Sequence, residues 1–329
     1  RPCSGGHSGG GASDRTPNRA QAADNARLLV GVLGALYGSL DKILDDQGWG
    51  RDRLPHLFSI DEGMVRDMDR SRSSRLVERL KKAGLDGVVL MPGPNLFYLS
   101  GLRLHVSERP IVVGLGLDGQ TMVLLPGFES GRAAKVVPSA TLLTYSDGGG
   151  YEPAFMALAQ AMDLDGKRIG IEYLNMRVLE LRGLEAAAPG AEFLSLERHI
   201  PGLRAIKDER ELATLRAAIA ITEKALHTMF SWPLLGWTER QLAERLTAEM
   251  MDGGADSVAF MIVVAGPNGA DPHAGPSDRP LQLGDLVTID CGAVHQGYTA
   301  DITRTFAVGP VEGELRKIYE TVRHANAAG

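Results

Sequence analysis

Asp290 and Asp301 stand in two apolar, β-branched runs, residues 287–294 and 298–306, joined by His295-Gln296-Gly297. Such runs around a short polar turn predict a β-hairpin. With His295 and Gln296 at the tip, antiparallel register pairs Val294 with Gly297, Ile289 with Ile302, and Asp290 with Asp301. Alternation then sends Ile289, Cys291, Ala300 and Ile302 to one side, and Thr288, Asp290, Asp301 and Thr303 to the other. Directly opposed side chains lie about 5 Å apart at Cβ, where like charges repel. Two aspartates so placed in an apolar hairpin call for a cation between them. The competing reading is a pair of solvated carboxylates on an exposed sheet face, where most carboxylates are found. The stretch just upstream favours the cation. Residues 265–280, AGPNGADPHAGPSDRP, form a long irregular loop that carries His273. Loops of that length within a compact domain are functional or disordered.

The elements that must position this hairpin are legible on its N-terminal side. Asp208 with Glu211, and Thr238 with Gln241, have the spacing of helix capping boxes. After the first, Leu212, Leu215, Ile219 and Leu226 form a helical apolar stripe. The second helix is expected to end at Gly253-Gly254, followed by a strand over residues 258–264. A further helix is expected from Gly313 to Asn326. The apolar face of the hairpin takes Cys291, which reads as a small core residue rather than a nucleophile.

Residues 71–196 alternate between helix and strand signals. Helices are expected over residues 71–83, 152–162 and 176–188, and strands over 87–91, 110–113, 121–125, 141–145, 168–172 and 192–196. Gly114-Leu115-Gly116-Leu117-Asp118-Gly119 matches the G-x-G-x-x-G pattern of dinucleotide sites. That pattern has meaning only where a helix begins and aims its N-terminus at a pyrophosphate. Here a second strand follows, so the glycines are assigned to a hairpin around Asp118-Gly119 and no nucleotide cofactor is expected.

The chain has 329 residues and a formal net charge of −6, enough for two domains and without the basic balance that nucleic acid favours. The basic run from Arg66 to Lys82 reads as the solvated face of a helix. Cys3 and Cys291 are the two cysteines, too far apart for a disulfide framework or zinc spacing, which fits a reducing, cytoplasmic setting. Residues 1–63 are expected to be a tail, disordered or foreign to the natural protein, with Met64 or Met68 as natural starts. Their apolar run, 28–40, is too short to span a bilayer. Arg15, Arg19 and Arg27 give it the outline of a secretion signal, but no cleavage site follows.

Asn268-Gly269-Ala270, Pro272-His273, Gly284-Asp285, Ile289-Asp290-Cys291-Gly292, Gly297-Tyr298 and Asp301-Ile302-Thr303-Arg304-Thr305-Phe306 together resemble the pita-bread metallopeptidases. That group includes Xaa-Pro aminopeptidases, prolidases and, more distantly, methionine aminopeptidases and creatinase. The resemblance reaches back to about Met64. It implies an α/β creatinase-like N-terminal domain over residues 64–205, then the first half of an α+β pita-bread domain over 206–329, with the second half missing. Asp290 and Asp301 match two ligands of a dinuclear metal site, and His273 matches a loop histidine that binds substrate and stabilises the tetrahedral intermediate. The family's other ligands, one histidine and two glutamates, come from the second half, so the chain is expected to be a catalytically incomplete fragment. The implied cofactors are two divalent ions that activate water. Mn2+ is favoured by a carboxylate-rich site, with Co2+ or Zn2+ as substitutes. The implied activity is an exopeptidase cleaving an Xaa-Pro bond in a peptide or dipeptide, working as a homodimer without nucleic-acid or membrane partners. Two alternatives are a non-catalytic pita-bread binding or chaperone module, and creatinase-like hydrolysis without metal. Retention of both aspartates counts against each.

Overall fold

The computed structural model describes residues 70–329. The expectations for residues 1–63, and for Met64 and Met68 as starts, lie outside the described residues. The described chain forms two compact units that meet in sequence between Lys207 and Asp208.

In the first unit, β1 (Gly87–Leu90), β2 (Val112–Gly116), β3 (Thr121–Pro126), β4 (Thr141–Tyr145), β5 (Arg168–Ile171) and β6 (Glu192–Ser195) form one sheet in the order β4-β3-β2-β1-β5-β6. β2 runs antiparallel to both neighbours and the other pairs are parallel. The helices are α1 (Arg70–Ala83), α2 (Pro94–Ser100), α3 (Ser130–Val136), α4 (Glu152–Ala161), α5 (Val178–Ala187) and α6 (Pro201–Arg204). Alternate strand residues enter two separate cores. Val88, Leu90, Val113 and Val123 pack with Leu76 and Leu80 of α1. Val89, Val112 and Leu124 pack with Phe155 and Leu158 of α4 and Leu184 of α5. Burial on both faces is why these strands read as unbroken apolar runs.

The glycines of the G-x-G-x-x-G segment serve the β2–β3 hairpin. Gly119 has φ +83° at the turn, and a Cβ on Gly114 would lie 2.1 Å from the Met162 sulfur. The arginines of α1 depart from a simple solvated face. Arg72 donates to the Tyr98 carbonyl at 2.9 Å and lies over the Tyr98 ring at 4.3 Å. Arg75 donates to the Tyr98 hydroxyl at 2.9 Å, and Arg79 to the Gly202 carbonyl at 3.2 Å. Long arginine stems reach past the helix edge and satisfy polar groups on neighbouring elements.

The second unit comprises α7 (Glu209–Met229), α8 (Glu239–Asp252), β7 (Ser257–Ala265), β8 (Leu286–His295), β9 (Tyr298–Thr299), β10 (Ile302–Ala307) and α9 (Gly313–Ala328). Both expected capping boxes are present, at Asp208/Glu211 and Thr238/Gln241. The sheet order is β10-β8-β7, with β9 also paired to β8. Val263, Val287, Ile289, Cys291 and Ile302 bury one face in a core that includes Leu226 and Met229 of α7 and Leu242, Leu246 and Met250 of α8. Polar ties fix β8 and β9 on α7. The Ala293 amide donates to Thr222 Oγ1 at 3.1 Å, and the Tyr298 hydroxyl donates to Glu211 Oε1 at 2.9 Å.

The hairpin register corrects the expectation from sequence. His295 pairs with Tyr298, Val294 with Thr299, Cys291 with Ile302, and Asp290 with Thr303 rather than with Asp301. The turn is Gln296-Gly297, not His295-Gln296. Both turn residues have positive φ, 47° and 85°, the backbone of a type I′ turn, whose twist matches that of the strands and which favours glycine second. Moving the tip by one residue moves every cross-strand pair by two. Side-chain faces are unchanged, but Asp301 now comes opposite Gly292. There the strands approach so closely that a Cβ on Gly292 would lie 1.8 Å from the Ala300 carbonyl oxygen. A β-bulge between Val258 and Phe260 interrupts β7 on the other side of the same position.

On α9 no side chain is buried, and Leu315, Ile318 and Val322 form an exposed apolar stripe. Among the described residues, the outer edge of β10 has no strand partner.

Gly292→Ala is therefore expected to destabilise the second unit by roughly 1–3 kcal/mol, the usual range for overpacking, because the obstacle is backbone. Gly131→Ala is the control of opposite sign. It lies inside α3 with nothing within 4 Å of an added Cβ, so it is expected to stabilise by about 0.5–1 kcal/mol. Chemical denaturation of both variants checks the pair.

Candidate active site

The face of the second sheet turned away from α7 and α8 carries the two aspartates. Across it, Ile262 on β7 pairs with Asp290 on β8, which pairs with Thr303 on β10. In the next row Phe260 pairs with Gly292, and the continuous register sets Asp301 opposite Gly292. Asp290 and Asp301 are thus diagonal neighbours on one face, not directly opposed. Diagonal positions are separated by about 7–8 Å along the backbone, within reach of side chains that lean together. Asp290 is half-buried and Asp301 exposed. The Thr303 hydroxyl donates to Asp290 Oδ1 at 2.7 Å, and the Thr288 and Thr305 hydroxyls are 3.1 Å apart.

Cys291 lies on the opposite, core face and is 0% exposed. Burial pushes its thiol up to about 12, Asp290 and Asp301 add to the effect, and Arg304 offsets part of it. A thiol so held is not a nucleophile near neutral pH. The donor set on the other face suits a hard divalent cation, because it consists of carboxylate oxygens with one neighbouring hydroxyl. Among the described residues, no three His, Cys, Asp or Glu side chains come together as a metal cluster. The residues present fit one wall of a metal site.

His273 is exposed on the loop between β7 and β8, where its amide donates to Asp271 Oδ1 at 3.0 Å. The base of that loop is held by a residue the sequence did not single out. Glu239, the first residue of α8, is 0% exposed. It accepts from the Ala265 amide at 2.7 Å, from Asn268 Nδ2 at 3.1 Å, and from the Ser277 amide and hydroxyl at 2.9 and 2.6 Å. An acidic residue in a first helical turn already has an ordinary explanation in the helix dipole, so nothing in the sequence marked it. A second tie lies further along the loop. Arg279 donates through two nitrogens to Asp285, at 2.7 and 2.8 Å, and Asp285 also accepts from the Gln282 amide at 2.8 Å.

Burial by itself would raise the Glu239 carboxyl, but the hydrogen bonds from Ser277, Ala265 and Asn268 outweigh it and hold the group below the usual carboxylate range. Hydrogen bonding from Arg279 lowers Asp285 in the same way, against its burial. For a carboxyl lowered on folding, the unfolded state binds more protons as pH falls. Its stabilisation is complete above the unfolded value of about 4 and is lost as pH drops through the folded value. Melting temperature is therefore expected to fall on acidification from about pH 4 downward. Asp285→Asn should melt lower than the parent at neutral pH and show a shallower acid dependence, as thermal melts across that range would reveal.

The metallopeptidase family M24 model matches residues 213–329, and the creatinase/prolidase N-terminal domain model matches residues 72–206. A probable dipeptidase PepE of Mycobacterium tuberculosis is 32% identical over 249 residues, covering 75% of this chain and 65% of that protein. An Xaa-Pro dipeptidase of Pyrococcus horikoshii is 28% identical over 260 residues, covering 79% of this chain and 70% of that one. The crystal structure of recombinant prolidase from Thermococcus sibiricus superposes with a TM-score of 0.74 at 30% identity, covering 80% of this chain and 71% of that one. Across these three, the matched region spans 65–71% of the relative's length. With a creatinase-type N-terminal domain followed by a partial pita-bread domain, the chain belongs to metallopeptidase family M24, a family of hydrolases.

Proposed function

We propose that the protein is a metal-dependent exopeptidase that cleaves Xaa-Pro bonds, with Asp290 and Asp301 as ligands to two divalent cations. The observation that carries this reading is the placement of the two carboxylates. They share one face of the β8–β10 pairing, one register step apart, with the Thr303 hydroxyl on Asp290. When bound, divalent ions at such a site supply Lewis acidity and an activated water. Asp290 and Asp301 supply the anionic charge that holds them, and Mn2+ fits the hard oxygen donors best. Thr303 fixes one Asp290 oxygen, which orients the other. Ile262 and Phe260 border the carboxylates on the β7 side. His273, on its exposed loop, donates a hydrogen bond to the charge that develops on the scissile carbonyl oxygen. The Xaa-Pro preference is supported by the names of the Pyrococcus and Thermococcus relatives.

Asp301→Asn in the full-length protein keeps shape and polarity while removing one of the two charges. Hydrolysis of an Xaa-Pro dipeptide is expected to fall by more than roughly a hundredfold, beyond what altering an outer partner of a ligand costs. Mn2+ affinity measured by calorimetry should fall with it. The metal-free protein should melt at the parent temperature or slightly above, because repulsion between neighbouring carboxylates is relieved. If the two are merely solvated surface carboxylates, neither metal binding nor turnover will change.

A further inference from the structure

We infer that Glu239 is the positioning residue for His273: one buried carboxylate sets where the histidine loop sits. This rests on the proposed role of His273 and adds a residue to that site. Glu239 contributes nothing to the sheet face itself, and its oxygens are fully used by the loop. It binds that loop near its start and at its close, through Ala265 at the end of β7 and Asn268 in the 3-10 turn Gly266–Ala270 on one side of the histidine, and Ser277 on the other. The closed segment is residues 265–277, and His273 lies within it. Two backbone bonds reinforce the base: the Arg240 amide donates to the Ser277 carbonyl at 3.0 Å, and the Glu239 amide to the Arg279 carbonyl at 3.1 Å. Asn268 Nδ2 also donates to Ser277 Oγ at 3.1 Å, across the mouth of the segment beside the Glu239 carboxylate. Inside that mouth the ties are short-range, Asp271 to Asn268, His273 to Asp271 and Ala274 to Asp271. The position of the histidine is therefore inherited from the base, and a buried carboxylate with four donor groups from three residues allows that base little freedom.

Glu239→Gln is the direct probe, because it keeps volume but puts an amide NH2 where an oxygen accepted. In this chain, hydrogen exchange is expected to quicken within residues 265–277 and to stay unchanged in β8. In the full-length protein with Mn2+ and an Xaa-Pro dipeptide, kcat/KM should fall by up to roughly a hundredfold, the scale of an ångström of misplacement. The decisive arm is the double variant. In a His273→Ala background, Glu239→Gln should change kcat/KM by less than about twofold, since its effect passes through the histidine. An undiminished loss in that background, or unchanged exchange and kcat/KM in the single variant, overturns the inference. If His273→Ala by itself leaves kcat/KM unchanged, the role of His273 falls, a result distinct from failure of Glu239 alone. Should Glu239→Gln not fold, Ser277→Ala removes one of the donors to Glu239, together with the acceptor for Asn268 Nδ2 and the Arg279 amide, and must show the same non-additivity at smaller size.

Discussion

Two like charges can be held side by side on a sheet only while the strand register keeps them there, and in a hairpin the register is set at the turn. Gln296 and Gly297 adopt positive φ, and that backbone closes a two-residue loop between His295 and Tyr298. Every later pairing follows from it, down to Thr303 opposite Asp290. Gly292 permits this register a few residues from the turn, because a side chain there would collide with the Ala300 carbonyl. Direct opposition would bring the carboxylates to the distance of greatest repulsion, whereas the diagonal offset lowers that repulsion in the metal-free state and, in the function proposed above, still lets both groups reach shared cations.

The unit from Asp208 onward uses carboxylates in two ways, and burial separates them. Glu239 and Asp285 are buried, each accepts three or more hydrogen bonds, and both are lowered in pKa, which holds them as anions. Asp290 and Asp301 are more exposed and accept few bonds within the chain. The first pair organises the loop; the second leaves its oxygens available. Glu211 is also buried and bonded within the fold, where it joins the capping box of α7 to the Tyr298 hydroxyl at the hairpin. A buried carboxylate left without donors would be costly, so the number of donors each one meets separates the scaffold carboxylates from those proposed as ligands.

The unit of residues 70–207 shows how far local pattern depends on context. Its G-x-G-x-x-G stretch has the spacing of a phosphate-binding turn, yet the chain leaves it as strand β3. Gly114 makes room for Met162, and Gly119 makes the turn. The arginines of α1 looked like a solvated face and instead tie α1 to Tyr98 and Gly202.

By itself the sequence determined whatever depends on neighbours along the chain. Both capping boxes, the long helices, the apolar strands and the face shared by Asp290 and Asp301 follow from spacings of two, three or four residues, which local geometry converts directly into structure. The short helices Pro94–Ser100 and Ser130–Val136 were not legible, because seven residues span too few turns to show a period. The exact hairpin register was not legible either, since two adjacent turn placements satisfy the same alternation and only the backbone conformation chooses between them. Glu239 could not be found at all. Its importance lies in Ala265, Asn268 and Ser277, 26 to 38 residues away, and a first-turn glutamate looks the same in sequence whether it faces water or closes a loop. Tertiary structure decided that, because burial and hydrogen-bond partners across long sequence separations exist only once the chain has folded.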